Sequence, residues 1–172
     1  FRLGEIEAAM GLVQLQKLKG LTAAKTHAGS RLSAGLASLK GLRTPVVKEG
    51  CSHVYYVYPM ILDTAALGAP RKQIAAALRA EGVPGVSEGY TNIHLLPMYQ
   101  KKIAYGRNGF PWVRELYQGN VSYQKGICPM AEELHDQSMM GLLLCMHNFD
   151  DGEVDQVLRA FHKVWGQMEK LA

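Results

Sequence analysis

Little in this sequence points to covalent cross-links, charge-driven binding or membranes. There are only three cysteines, Cys51, Cys128 and Cys145, and no C-x-x-C. An odd number without paired spacing excludes a disulfide framework and fits a reducing cytosol. Small, buried, unreactive thiols are expected. No run of about five or six like charges occurs, although the net charge is +4. Scattered Lys and Arg make a mildly basic solvated surface, which favours anionic small molecules. They do not make the patch or stripe that nucleic acid requires. No apolar stretch reaches the ~18 residues needed to span a bilayer. No basic segment leads into an apolar run either, so no secretory signal is expected.

Motifs that carry chemistry are equally scarce. The chain has no G-x-G-x-x-G, G-x-x-x-x-G-K-[ST], H-E-x-x-H or G-x-S-x-G, which removes the common nucleotide, zinc-protease and serine-hydrolase signatures. His27, His53, His94, His135, His147 and His162 never fall at i, i+4 from one another, so no metal site is expected.

What is present is an ordinary soluble composition, 48% hydrophobic and 20% charged over 172 residues, enough for one apolar core. Leu3 to about Leu39 reads as one long helix. Ile6, Ala9, Met10, Val13, Leu18 and Leu21 recur at helical steps, and Ala is frequent. Gly20 and Gly29 are expected points of bending. So long a helix fits an arm between domains or subunits. The chain opens on Phe1 and runs at once into this pattern, which predicts a fragment of a longer protein.

Gly41–Gly50 reads as a connector, and His53–Leu62 as a strand, with Pro59 marking an edge or bend. Pro70 opens a helix to Glu81, with Ile74, Ala77 and Leu78 on one face. Val83–Ser87 follows as a short strand. Cys128–Met139 is a predicted helix, Gly141–Cys145 a strand, and Asp150 with Glu153 forms a D-x-x-E capping box for the last helix. Few strands and segregated helices give an α+β fold, a small mostly antiparallel sheet with helices on one face. Two units are expected: a long helix over 1–40, and a small domain over 41–172.

Glu88–Lys125 is irregular and rich in Gly, Pro and aromatics. His94 lies there with Glu88, Tyr90, Asn92 and Tyr99. Polar and aromatic groups meeting on a loop are what a ligand site needs, and a Glu with a His can do acid–base work. A loop held by its own tyrosines accounts for the same residues. The adjacent Glu132 and Glu133 read as a solvated helix face. Met139 and Met140 read as core or subunit-contact residues.

One segment is more specific. Phe1-Arg2-Leu3-Gly4-Glu5-Ile6-Glu7-Ala8-Ala9-Met10-Gly11 resembles the N-[YF]-R-[ML]-x-[ED]-[IL]-[QE]-A-A-x-G signature of the DegT/DnrJ/EryC1/StrS aminotransferases. Later features match in order. They are His53, Tyr55, Tyr58 and Pro59; Glu81-Gly82-Val83; Ile93, His94, Leu95, Pro97 and Tyr99; Ala131-Glu132-Glu133-Leu134; and the Asp-capped last helix.

The resemblance implies the C-terminal small domain of a fold-type I aminotransferase, preceded by the interdomain helix. It implies a cytoplasmic homodimer that moves an amino group from glutamate or glutamine to a keto-sugar, usually nucleotide-linked. The pathways would be polysaccharide, lipopolysaccharide or antibiotic amino-sugar synthesis. The cofactor would be pyridoxal phosphate on a lysine. That lysine is expected upstream of these residues, so the chain alone is expected to be inactive.

Arg2 matches the motif's arginine near the cofactor, and a structural ion pair with Glu5 at the helix start is the competing account. His94 and Tyr99 match the sugar-facing loop, and Glu88, Tyr90 and Asn92 join them as expected substrate contacts. Many members carry R-x-H-[YH] where this chain reads Val86-Ser87-Glu88-Gly89-Tyr90. That departure points away from a standard nucleotide-diphosphate sugar, toward a variant sugar, cyclitol or other keto substrate. The insert Lys101–Lys125, with Trp112, is expected to shape the pocket. A non-enzymatic dimerisation or ligand-binding module of the same fold is the competing reading.

Overall fold

The computed structural model describes residues 2–105 and 108–171; Phe1 of the first motif lies outside them. Helix α1 spans Glu5–Leu36, 32 residues, with Glu5 and Glu7 in its first turn, where carboxylates offset the helix dipole. It runs unbroken through Gly20 and Gly29, so neither glycine interrupts it. Gly29 serves packing instead: a Cβ there would sit 2.5 Å from the Tyr55 ring. The first half of α1 exposes Ile6, Met10, Leu12, Val13, Leu15 and Leu18. In the second half Ala28, Leu32 and Leu36, each four residues on, are buried. Such a stripe is what a helix presents to a core.

Four short strands follow in one sheet: β1 (Leu42–Arg43), β2 (Tyr58–Leu62), β3 (Val86–Glu88) and β4 (Met139–Leu142). Their order is β1-β2-β4-β3 and every pairing is antiparallel. The predicted strand from His53 begins only at Tyr58. Tyr55 turns the chain with φ of 49°, and its N–H donates to Nδ1 of His53 at 2.8 Å. Pro59 lies in an inner strand, not at an edge. It pairs with Gly141, and β1 reaches only Ile61 and Leu62, so no partner on that side needs its missing N–H. The predicted connector after Gly41 thus contains β1.

Between the strands lie α2 (Thr64–Leu67), α3 (Arg71–Ala80), α4 (Pro97–Gln100) and α5 (Pro129–Glu133); α6 (Asp151–Trp165) comes last. The helix predicted over Cys128–Met139 holds α geometry only to Glu133, then widens into π-type turns over Leu134–Ser138. The Arg71 guanidinium reaches into that stretch and donates to the carbonyls of His135 at 2.6 Å and Met139 at 3.1 Å. β4 therefore starts two residues before the predicted Gly141. Helix α6 carries the expected capping box, Asp150 and Glu153 each bonding the other's backbone N–H.

One face of the sheet, with Tyr58, Met60, Leu62, Met140 and Leu142, joins Leu32 and Leu36 of α1, Ile74 and Leu78 of α3 and Phe161 of α6 in one core. Cross-strand register places Tyr58 beside Leu142 and Met60 beside Met140, which keeps these side chains together. The three cysteines depart from expectation. All are exposed and unpaired, because none falls on the inward face of these elements. Among the described residues no helix is long and apolar enough to cross a membrane.

Candidate functional site

The irregular segment after β3 folds back over the N-terminus of α5. Between them is a pocket of about 400 Å³ lined by Thr91, Asn92, Ile93, His94, Tyr99, Tyr123, Cys128 and Ala131. Asn92, His94 and Tyr99 thus come together as the sequence implied. Asn92 is 9% exposed, and its Nδ2 has no hydrogen-bond partner among the described residues.

Glu132 corrects a sequence expectation. It was read as part of a solvated face and is instead 6% exposed, just behind His94. Its Oε1 lies 2.8 Å from His94 Nε2 and accepts from the Gly126 N–H at 2.7 Å and the Cys128 N–H at 3.3 Å. Oε2 accepts from the same Gly126 N–H at 2.8 Å. Burial opposes the charge. The Gly126 N–H, the His94 ring and the Cys128 N–H outweigh it and hold the carboxyl below its ordinary range. The available signal was its place in the first turn of a Pro-started helix, where free backbone N–H groups attract a carboxylate.

The insert supplies the aromatic wall. Tyr99 lies 5.2 Å from Tyr123 and 6.2 Å, edge-on, from Trp112. Trp112 Nε1–H donates to the Tyr123 hydroxyl at 3.0 Å. Gln100 Nε2 donates to the His94 carbonyl at 2.7 Å and also to the Tyr123 carbonyl, tying loop to insert. A neighbouring apolar hollow of about 430 Å³, lined by Phe110, Pro111, Trp112, Leu116, Tyr117, Val121 and Tyr123, shares the Tyr123 wall.

Other expected site residues stay apart. Glu88 does not line the pocket. It receives Arg79 Nη1 at 2.8 Å and lies 4.0 Å from Arg71 Nε, so its charge is met within the fold. Tyr90 is exposed and absent from the lining. Arg2 is exposed, and no ion pair joins it to Glu5 among the described residues.

An α+β domain with an antiparallel sheet, a long leading helix and a neutral, aromatic-walled pocket is the class of molecule defined so far. The same fold occurs in solved aminotransferases. DesV of S. venezuelae superposes with a TM-score of 0.70 at 20% identity, over 96% of this chain and 38% of that one. Helicobacter pylori PseC, an aminotransferase involved in the biosynthesis of pseudoaminic acid, gives 0.65 at 18% identity over 96% and 38%.

The profile of the DegT/DnrJ/EryC1/StrS aminotransferase family matches residues 1–123, and the chain belongs to that family. The spore coat polysaccharide biosynthesis protein SpsC of Bacillus subtilis is 28% identical over 118 residues, 69% of this chain and 30% of that protein. A Streptomyces kanamyceticus protein, provisionally an L-glutamine:3-amino-2,3-dideoxy-scyllo-inosose aminotransferase, is 23% identical over 99% of this chain and 41% of its own length. The chain thus spans less than half the length of these relatives.

The family implies pyridoxal phosphate. The pocket lining contains no lysine for an imine and no cation for a phosphate.

Proposed function

We propose that these residues form the acceptor-binding part of a pyridoxal-phosphate-dependent transaminase that aminates a keto-sugar or keto-cyclitol. The observation that carries this reading is the pocket of Asn92, His94 and Tyr99 in a chain of this family. Aromatic faces with a few fixed polar atoms suit a carbohydrate-like ring: ring C–H groups pack on Tyr99 and Tyr123 while hydroxyls bond to Asn92 and His94. Among the described residues the lining has no Lys or Arg, which favours a neutral ring over a diphosphate. The relatives support the substrate class, since SpsC serves polysaccharide biosynthesis and the Streptomyces protein a cyclitol.

In this reading residues 1–40 link to the cofactor-holding part, and residues 41–172 are the small domain of a fold-type I enzyme. Arg2 lies toward the cofactor. The exposed apolar half of α1 supports a covered position in a homodimer. Glutamate or glutamine is the amino donor, and the enzyme works in the cytoplasm. The 172 residues alone do not transaminate.

The test is amino transfer by the full-length protein, supplied with pyridoxal phosphate and glutamine or glutamate. Scyllo-inosose, a keto-cyclitol, and a nucleotide-linked keto-sugar serve as acceptors, and mass spectrometry reads the aminated product. Turnover by the full-length protein and none by the 172 residues is expected, with scyllo-inosose preferred. Saturable binding without transfer would favour the non-enzymatic module. Transfer by the 172 residues alone would refute the placement of the cofactor elsewhere.

A further inference from the structure

Glu132 is a buried carboxylate that does not itself line the pocket. It sits behind a residue that does, His94, whose side chain is 10% exposed. Backbone N–H groups of Gly126 and Cys128 hold Glu132 in place from the other side, so the carboxylate cannot swing away. Its carboxyl is held below the ordinary range, so near neutral pH it is ionised and can only accept hydrogen bonds. The 2.8 Å contact with His94 Nε2 therefore requires a proton on that nitrogen. In the neutral imidazole the other nitrogen, Nδ1, is then an acceptor. Nδ1 makes no hydrogen bond among the described residues. Two residues earlier, Asn92 also lines the pocket, its Nδ2 buried and without a partner among the described residues. An accepting nitrogen on a pocket-lining ring suits a hydroxyl that donates its proton.

We infer that Glu132 is a positioning residue: it keeps the proton on Nε2 of His94, so that Nδ1 accepts a ring hydroxyl of a bound polyol. The inference rests on the sugar or cyclitol reading of this pocket. It assigns no proton transfer to His94. A ring lacking that hydroxyl leaves Nδ1 unsatisfied, which costs binding.

Long-range proton–nitrogen correlation of the imidazoles in the full-length protein reads the tautomer without any ligand. Wild-type His94 is expected in the Nε2–H form. Glu132→Ala removes that preference, and Glu132→Gln keeps it, because the amide oxygen still accepts the ring N–H. Affinity for scyllo-inosose is expected to fall about fivefold to tenfold in Glu132→Ala, the loss of one hydrogen bond, and to recover in Glu132→Gln. In a His94→Gln background the effect of Glu132→Ala should vanish, as coupled residues require. The His162 resonance, bonded to the Gly35 carbonyl at 3.0 Å, reports whether each variant is folded. Should Glu132→Ala not fold, the wild-type tautomer and the Glu132→Gln comparison decide. A wild-type proton on Nδ1 would overturn the inference, as would an altered tautomer with unchanged affinity. If wild-type protein does not bind scyllo-inosose while His94 shows the Nε2–H form, the sugar reading fails and the tautomer assignment stands.

Discussion

Tyr58→Phe should change the alkaline stability of this protein in a direction set by one hydroxyl. Tyr58 is fully buried, and its hydroxyl lies 2.8 Å from Ser33 Oγ, joining β2 to α1. Burial pushes the phenol up to about 12 from its ordinary 10.0, against the opposing pull of Ser33 and Thr44. The folded state therefore keeps a proton that the unfolded chain releases first. Tyr58's contribution is complete below pH 10 and is lost as pH rises toward 12. The gap from 10.0 to about 12 is worth at most about 2.7 kcal/mol, and partial solvent screening brings it to about 1–2 kcal/mol. Near neutral pH, Tyr58→Phe loses the Ser33 bond and costs about 1 kcal/mol. By about pH 11.5 the variant should match or exceed wild type, because it has no phenol to titrate. Urea unfolding of both proteins across this range measures the difference, and titrations common to both cancel. Parallel stability curves would refute the reasoning, showing that the hydroxyl is solvated in the fold.

Three further outcomes are expected. Gly29→Ala should lower the melting temperature despite alanine's better helix propensity. Its Cβ would lie 2.5 Å from the ring of Tyr55, itself only 3% exposed, and overpacking of this kind costs about 1–3 kcal/mol; a higher melting temperature would contradict the contact. Asp150→Ala should remove about 1 kcal/mol of stability by uncapping α6, visible as a lower urea midpoint with unchanged slope. Acid should loosen the α5 corner: the Glu132 carboxyl is held below its ordinary 4.5, so its contribution is present above that pH and lost as pH falls through the lower folded value. Faster amide exchange at Gly126 and Cys128, relative to β2, would register this, and uniform protection down to global unfolding would argue against it.

How much of this was legible in the sequence depends on the range of the forces involved. The long α1, the α3 helix opened by Pro70, and the Asp150–Glu153 capping box rest on interactions a few residues apart, and pattern alone identified them. Family membership rested on a contiguous motif from Phe1 to Gly11, which the profile match over residues 1–123 supports. Strand bounds were less legible. Local β propensity from His53 onward is overridden by the Tyr55 turn, and β1 is only two residues long, existing because Leu62 and Ile61 lie opposite it.

The site divides the same way. Residue types on the loop from Asn92 to Tyr99 were enough to mark a candidate pocket, because those residues are neighbours along the chain. Glu88 lies apart from the pocket lining, and Glu132 was misjudged as solvated, because each carboxylate's surroundings are decided by a partner elsewhere in the chain. Arg79 takes up the first, and His94, 38 residues away, takes up the second. The chain's amino-acid order alone determined its family, the helices α1, α3 and α6, and the polar loop. Only tertiary packing decided which carboxylate is buried, which nitrogen of His94 meets Glu132, and that Tyr99, Trp112 and Tyr123 form one wall. The reason is that burial and hydrogen-bond satisfaction depend on all the groups brought to a point, and sequence spacing does not encode them.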